Sequence, residues 1–93
     1  MTYKLSFEKR ALKEWKRLAP PIQSQLKKKL IERLENPHVP TARLSGRANR
    51  YKIKLRASGY RLVYEVNDSE IILLVIAIGK RADNEVYQTA DSR

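Results

Sequence analysis

The sequence predicts an α+β fold in the order β-α-α-β-β-β-α, a small antiparallel-rich sheet with two helices packed on one face. Two observations carry most of that prediction. Between Tyr51 and Arg81 the chain reads as strands joined by turn signals, with apolar and charged residues alternating along the first two. A strand sends successive side chains to opposite faces, so this stretch has one greasy and one cationic face. Upstream of it, apolar residues recur at helical spacing in two consecutive segments. A strand, a helical pair and then a strand meander place the helices together on one side of a sheet.

Taken in order, Thr2–Phe7 alternates Tyr3, Leu5 and Phe7 against polar residues and reads as a short strand. A helix follows from Glu8 to about Leu18, with Ala11, Leu12, Trp15 and Leu18 on its apolar side. Ser6 is the expected N-cap, and Glu8 the first-turn acid that suits the helix dipole. Pro20-Pro21 ends that helix and opens a second, because proline is tolerated in a first turn. Ile22, Leu26, Leu30, Ile31 and Leu34 form its stripe, and Asn36-Pro37 stops it near Glu35. The stretch from Asn36 to Arg50, with its prolines and small polar residues, reads as a basic loop in which Leu44 anchors to the core.

In the first meander strand Tyr51, Ile53 and Leu55 are apolar while Lys52, Lys54 and Arg56 are cationic. The second has the opposite parity, with Tyr60, Leu62, Tyr64 and Val66 apolar and Arg61 and Glu65 between them. Both apolar sets reach one core only if odd residues of the first strand face even residues of the second. A tight turn at Ala57-Ser58 achieves this, setting Leu55 opposite Tyr60 and Lys54 opposite Arg61. Asn67-Asp68 marks the next turn. Ile71–Ile78 is apolar on both faces, which marks a central strand beside which the first strand joins the sheet, and Gly79 is its expected end. Asp83 is placed to cap a short C-terminal helix, about Asn84–Ala90, that carries Val86 and Tyr87.

Composition narrows the function. The 93 residues read as a single domain, 1–93, without repeats or linkers. With no cysteine there is neither a disulfide nor a thiolate metal ligand, which fits a reducing cytoplasm. The N-terminus has no apolar signal-peptide core. The run Ile71–Ile78 is too short for a bilayer span, which takes about 20 residues, so no membrane role is expected. Twenty Lys and Arg against ten Asp and Glu give a formal charge of +10. Such an excess points to a phosphate-rich partner, RNA, DNA or ribosome, and the alternative is a solvated basic surface.

The chemistry open to this chain is limited. His38, the only histidine, lies in a proline-flanked loop. It reads as a surface residue, with no partners for a metal site or a Ser-His-Asp triad. No metal and no cofactor is expected, and no Gly-rich phosphate loop exists. What remains is the cationic strand face plus a tyrosine. Cleavage of RNA by attack of a 2′-OH on the adjacent phosphate needs a proton acceptor, a group at the leaving 5′-oxygen, and cations around the phosphorane. Lys and Arg supply the last. A tyrosine acts as base only where nearby cations lower its pKa from about 10. Tyr87 lies one short helix beyond Lys80-Arg81. Read on its residues alone, Tyr87 is more often a packing aromatic than a catalytic group, and Lys52 and Lys54 are as often a solvated face.

The run LSGRANRYKIKLRASGYRLVYEV, the strand ending VIAIGKR, the following NEVY and the N-terminal SFEKRALKEWKRL resemble the RelE family of bacterial toxins over essentially the whole chain. The resemblance implies a RelE-like, microbial ribonuclease-like fold that lacks the usual His/Glu pair. It implies a type II toxin–antitoxin toxin, a ribosome-dependent endoribonuclease that cuts mRNA in the ribosomal A site and so inhibits translation. By the same resemblance, Lys52 and Lys54 contact the scissile phosphate and Arg61 stabilises the transition state. Arg81 acts at the leaving group, and Tyr87 orients or deprotonates the 2′-OH. Arg43, Arg47, Arg50, Arg56 and Lys80 are the expected RNA or ribosome contacts. The implied partners are a RelB-type antitoxin, the 70S ribosome with its 16S rRNA, and mRNA. Operator DNA is bound only through the antitoxin complex. Ser45 departs from a position that is often basic in the family, which shifts RNA holding to Arg43 or Arg47. Two alternatives stand beside this reading: a ParE-like toxin that poisons gyrase, and a non-catalytic basic nucleic-acid-binding module.

Overall fold

A computed structural model of the chain describes residues 2–46, 49–80 and 85–93. The elements are β1 (Lys4–Phe7), α1 (Lys9–Arg17), α2 (Pro20–Glu35), a 3-10 turn (Pro40–Ala42), β2 (Arg50–Leu55), β3 (Tyr60–Asn67), β4 (Ile72–Lys80) and α3 (Glu85–Asp91). The expected order is present, as α+β with a mostly antiparallel sheet. The sheet runs β1-β4-β3-β2, and β1 lies parallel to β4 at the edge where it was expected. None of the described helices is long and apolar enough to cross a membrane.

The parity argument holds rung by rung. Leu55 faces Tyr60 and Lys54 faces Arg61. The connection spans Arg56 to Gly59 rather than a two-residue turn. Gly59 takes φ +79°, where a side chain would strain the backbone, and its N–H closes on the Leu55 carbonyl at 2.9 Å. On the helix side, Tyr51, Ile53, Leu55, Leu62, Tyr64, Val66, Leu73 and Val75 pack with Ala11, Leu26 and Leu30 into the main core.

Tyr64 is fully buried and stacks on Tyr51 with ring centroids 5.5 Å apart. Its hydroxyl donates to the Pro37 carbonyl at 2.7 Å and accepts from Arg33 at 2.9 Å. Burial pushes this phenol's pKa up. Arg33 also donates to the Lys52 carbonyl at 3.2 Å, which ties α2 to β2.

The apolar run of β4 resolves through a register shift between Val63 and Tyr64. Val63 pairs with Ala77, whereas Tyr64 pairs with Val75, leaving Ile76 as the extra residue. A bulge puts neighbouring side chains on one face. Leu73 and Val75 therefore point to the main core, while Ile76 and Ala77 join Val63 on the other face under Val86 and Ala90 of α3. The strand is apolar on both faces because both are covered, by α1 and by α3.

Two expectations need correction. Ser6 does not cap α1, since it lies in β1 opposite Leu74. Glu8 is the cap, its carboxylate accepting from the N–H groups of Arg10 at 3.1 Å and Ala11 at 3.3 Å. The strand runs to Phe7, so the cap falls two residues later, where a longer carboxylate reaches the same orphan donors. Burial pushes the Glu8 carboxyl up, but hydrogen bonds from Arg10 and Ala11 outweigh it and hold it below the ordinary range. Gly79 does not end β4, because it pairs with Arg61 and the strand continues to Lys80. His38 is exposed in the loop, as expected, and its Nδ1 lies 2.7 Å from the Tyr51 hydroxyl and its Nε2 2.8 Å from Asp68. The expected cap Asp83 lies outside the described residues.

Candidate RNA-cleaving face

The face of the sheet away from α1 and α2 carries three rows. Lys54, Arg61 and Gly79 form the first across β2, β3 and β4; Lys52, Val63 and Ala77 form the second; Arg50, Glu65 and Leu74 form the third. α3 lies over the apolar middle of this grid. Its Val86 approaches Gly79 closely enough that a Cβ there would touch it at 3.6 Å, and its Ala90 carbonyl accepts from Arg50. The helix therefore starts beside the cationic row and ends beside Arg50.

Lys54 is exposed, Lys52 half-buried and Arg61 buried. Arg61 is only 7% exposed, and its Nη1 donates to the Tyr60 carbonyl at 3.0 Å. It sits directly across the ladder from Lys54, which sets two cations on one rung. Lys80 is exposed at the next position of β4, its Nζ 5.6 Å from the centroid of the Tyr60 ring. Tyr87 is half-buried on α3, packed against the cluster of Val63, Ile76 and Val86. Lys52, Lys54 and Arg61 thus share one face of the sheet, and α3 brings Tyr87 over that face, while Lys80 pairs with Tyr60 on the other face at the end of β4.

The other expected contacts divide. Arg43 is exposed and bridges to Tyr51 beside β2, and Arg56 is exposed in the β2–β3 connection. Arg50 differs from the expectation. Its side chain is 9% exposed and turned inward, with Nε on Glu65 at 3.1 Å and Nη1 on the Ala90 carbonyl. Arg47 and Arg81 lie outside the described residues.

Sequence reasoning missed two groups beneath this face, Glu65 as the partner of Arg50 and the pair Glu14–Arg93. The first was within reach, because counting the Leu55–Tyr60 ladder back to Arg50 lands on Glu65. No local signal announces the second, whose members lie at opposite ends of the chain.

Comparison with known proteins agrees with this geometry. A family model described as ParE toxin of the type II toxin-antitoxin system parDE matches residues 5–85. The chain is 52% identical to the mRNA interferase toxin RelE of Escherichia coli K12 over 93 residues, covering 100% of this chain and 98% of that one. The mRNA interferase RelE of Shigella flexneri matches with the same identity and coverage. Among solved structures, a free E. coli RelE double mutant superposes with TM-score 0.92 at 50% identity, covering 100% of this chain and 98% of that one. E. coli RelE bound to an antitoxin RelB peptide superposes with TM-score 0.85 at 51% identity, covering 97% of this chain and 95% of that one. An archaeal RelE–RelB complex from Pyrococcus horikoshii, at 20% identity and TM-score 0.67, shares the fold. A conserved architecture, a match through nearly the whole length and the cationic sheet face all lead to one assignment: the chain belongs to the RelE/ParE family of type II toxin–antitoxin toxins.

Proposed function

We propose that residues 1–93 form one toxin domain, a ribosome-dependent endoribonuclease that cuts mRNA in the ribosomal A site and so stops translation. The observation that carries this reading is the row in which buried Arg61 faces exposed Lys54 beneath α3. Two fixed positive charges on one row are productive around a phosphorane, where negative charge develops. The relatives named mRNA interferase support the same reading.

In the proposed reaction the substrate's 2′-oxygen attacks the neighbouring phosphorus and loses its proton. The bond to the 5′-oxygen breaks, and that oxygen takes up a proton. The products are a 2′,3′-cyclic phosphate and a free 5′-hydroxyl. Lys52 and Lys54 hold the phosphate, and Arg61 stabilises the crowded intermediate. Arg81 acts at the leaving oxygen as a charge clamp, because a guanidinium gives up its proton reluctantly. Tyr87 orients or deprotonates the 2′-OH. Arg43, Arg47, Arg56 and Lys80 extend the basic surface toward mRNA and 16S rRNA. The set lacks a strong acid–base pair, which fits dependence on the ribosome: holding the substrate in line supplies several kcal/mol of the barrier.

The proposed inhibitor is a RelB-type antitoxin, in line with the E. coli RelE structures solved with RelB. Operator DNA is reached only through that complex, and the work is done in the cytoplasm. Primer extension on programmed ribosomes tests the activity. Wild type is expected to cut within the A-site codon and Arg81→Ala to cut far less; an intact message with wild type refutes the reading. A second reading follows from the matched family description, a ParE-like toxin acting on gyrase. A supercoiling assay separates the two, since a gyrase poison leaves mRNA whole.

A further inference from the structure

The edge of β4 is only half covered. β1 pairs with it from Ile72 to Val75 and then ends, and the Glu8 N–H takes the Val75 carbonyl at 2.8 Å as the chain turns into α1. Beyond that point the backbone groups of Ile76 and Ile78 on this edge have no strand beside them. Two side chains take the strand's place. Glu14 of α1 accepts from the Ile78 N–H at 3.1 Å, and Arg93 donates to the Ile76 carbonyl at 2.9 Å.

The same two side chains are joined to each other. Arg93 Nη1 meets Glu14 Oε1 at 2.8 Å and Nη2 meets Oε2 at 3.1 Å, a two-pronged pair, with Glu8 a further 3.7 Å from Nε. The Arg93 side chain is only 9% exposed. Planar two-point pairing of this kind fixes geometry as well as energy. From the opposite side, Arg50 grips the Ala90 carbonyl in the last turn of α3. Cations at a helix C-terminus also favour the helix dipole.

We infer that Arg93, through Glu14 and the free edge of β4, is a positioning residue that holds α3 on the sheet so that Tyr87 stays over the face that carries Lys54 and Arg61. The inference rests on the proposed role of Tyr87 at the 2′-OH. The helix spans Glu85–Asp91, buries Val86 and Ala90 and half-buries Tyr87 against the same cluster. A face this small leaves orientation to the polar contacts at its C-terminal end.

The test is a double-mutant cycle read by single-turnover cleavage on programmed ribosomes, with Arg93→Ala and Arg93→Lys in wild-type and Tyr87→Phe backgrounds. Arg93→Ala is expected to lower the rate at saturating toxin by about tenfold or more, as small misplacements of a reacting group do. The half-saturating concentration stays unchanged, and Arg93→Lys recovers part of the loss. In the Tyr87→Phe background Arg93→Ala should cost almost nothing more. Equal losses in both backgrounds, or an unchanged rate, overturn the positioning role.

Hydrogen exchange on the free toxin reads the tether without the ribosome. In Arg93→Ala and Glu14→Gln the α3 amides should exchange faster while those of β3 keep their protection. Unchanged exchange in α3 overturns the tether. A wild type that cuts no mRNA instead overturns the functional reading, and the positioning role with it.

Discussion

The two faces of the sheet are built to different ends. On one, α1 and α2 seal a continuous apolar core in which Leu26, Ile53, Leu62, Leu73 and Val75 are fully buried. On the other, a seven-residue helix covers a small cluster around Val63 and Ile76, with Lys54 and Arg61 beside it. The first face holds the fold together by burying area. The second buries less and sets two cations, Lys54 and Arg61, in one row. Substitutions should therefore separate: the helix side governs folding and the α3 side governs activity.

The largest stability effect is expected from Leu26→Ala or Ile53→Ala, each costing about 2–5 kcal/mol as a cavity opens in a filled core. Urea unfolding checks this, and a loss under 1 kcal/mol would erase the contrast between the faces. Next comes Ile76→Val on the α3 side, expected to cost about 0.5–1.5 kcal/mol in the same measurement. Lys54→Ala, at an exposed position, should change stability by no more than about 0.5 kcal/mol. The same substitution should cripple cleavage, and a destabilised but fully active Lys54→Ala would invert the account.

The smallest effect concerns pH. The Tyr3 hydroxyl at 2.6 Å and His38 at 2.8 Å bond to the Asp68 carboxylate and hold its pKa below the ordinary range. The folded state thus favours the anion. The stabilisation is present at neutral pH and drains as pH falls below about 4, where the unfolded chain's carboxyls take up protons. In Asp68→Asn that part of the acid-unfolding curve should flatten, as followed by circular dichroism.

How far the sequence reaches also differs between the faces. The helix side was legible, because the apolar stripes of 8–35 and the parity of 51–66 both state burial directly. The Leu55–Tyr60 register followed from parity alone, and the cationic row of Lys54 and Arg61 came with it. The α3 side was legible in composition but not in arrangement. The bulge at Val63/Tyr64 is invisible in an unbroken apolar run, so which residues of β4 faced α3 stayed open. Arg50 looked like any other loop arginine, yet its inward turn depends on Glu65 and on the end of a helix forty residues away. Arg93 and Glu14 meet only because β1 stops short of the end of β4, a matter of relative strand length that no local pattern records. The family resemblance supplied roles for Lys52, Arg61, Arg81 and Tyr87, which residue chemistry alone left as one option among several.

The central claim is that the basic row under α3 is where RNA is cut. The most direct measurement is the single-turnover rate of mRNA cleavage on programmed ribosomes by Arg61→Ala, taken at toxin concentrations that saturate the ribosome. A fall of about a hundredfold or more is predicted, with saturation reached as for wild type, since fixed charge at the phosphorane acts on the transition state. Cleavage at the wild-type rate by a folded Arg61→Ala would contradict the account.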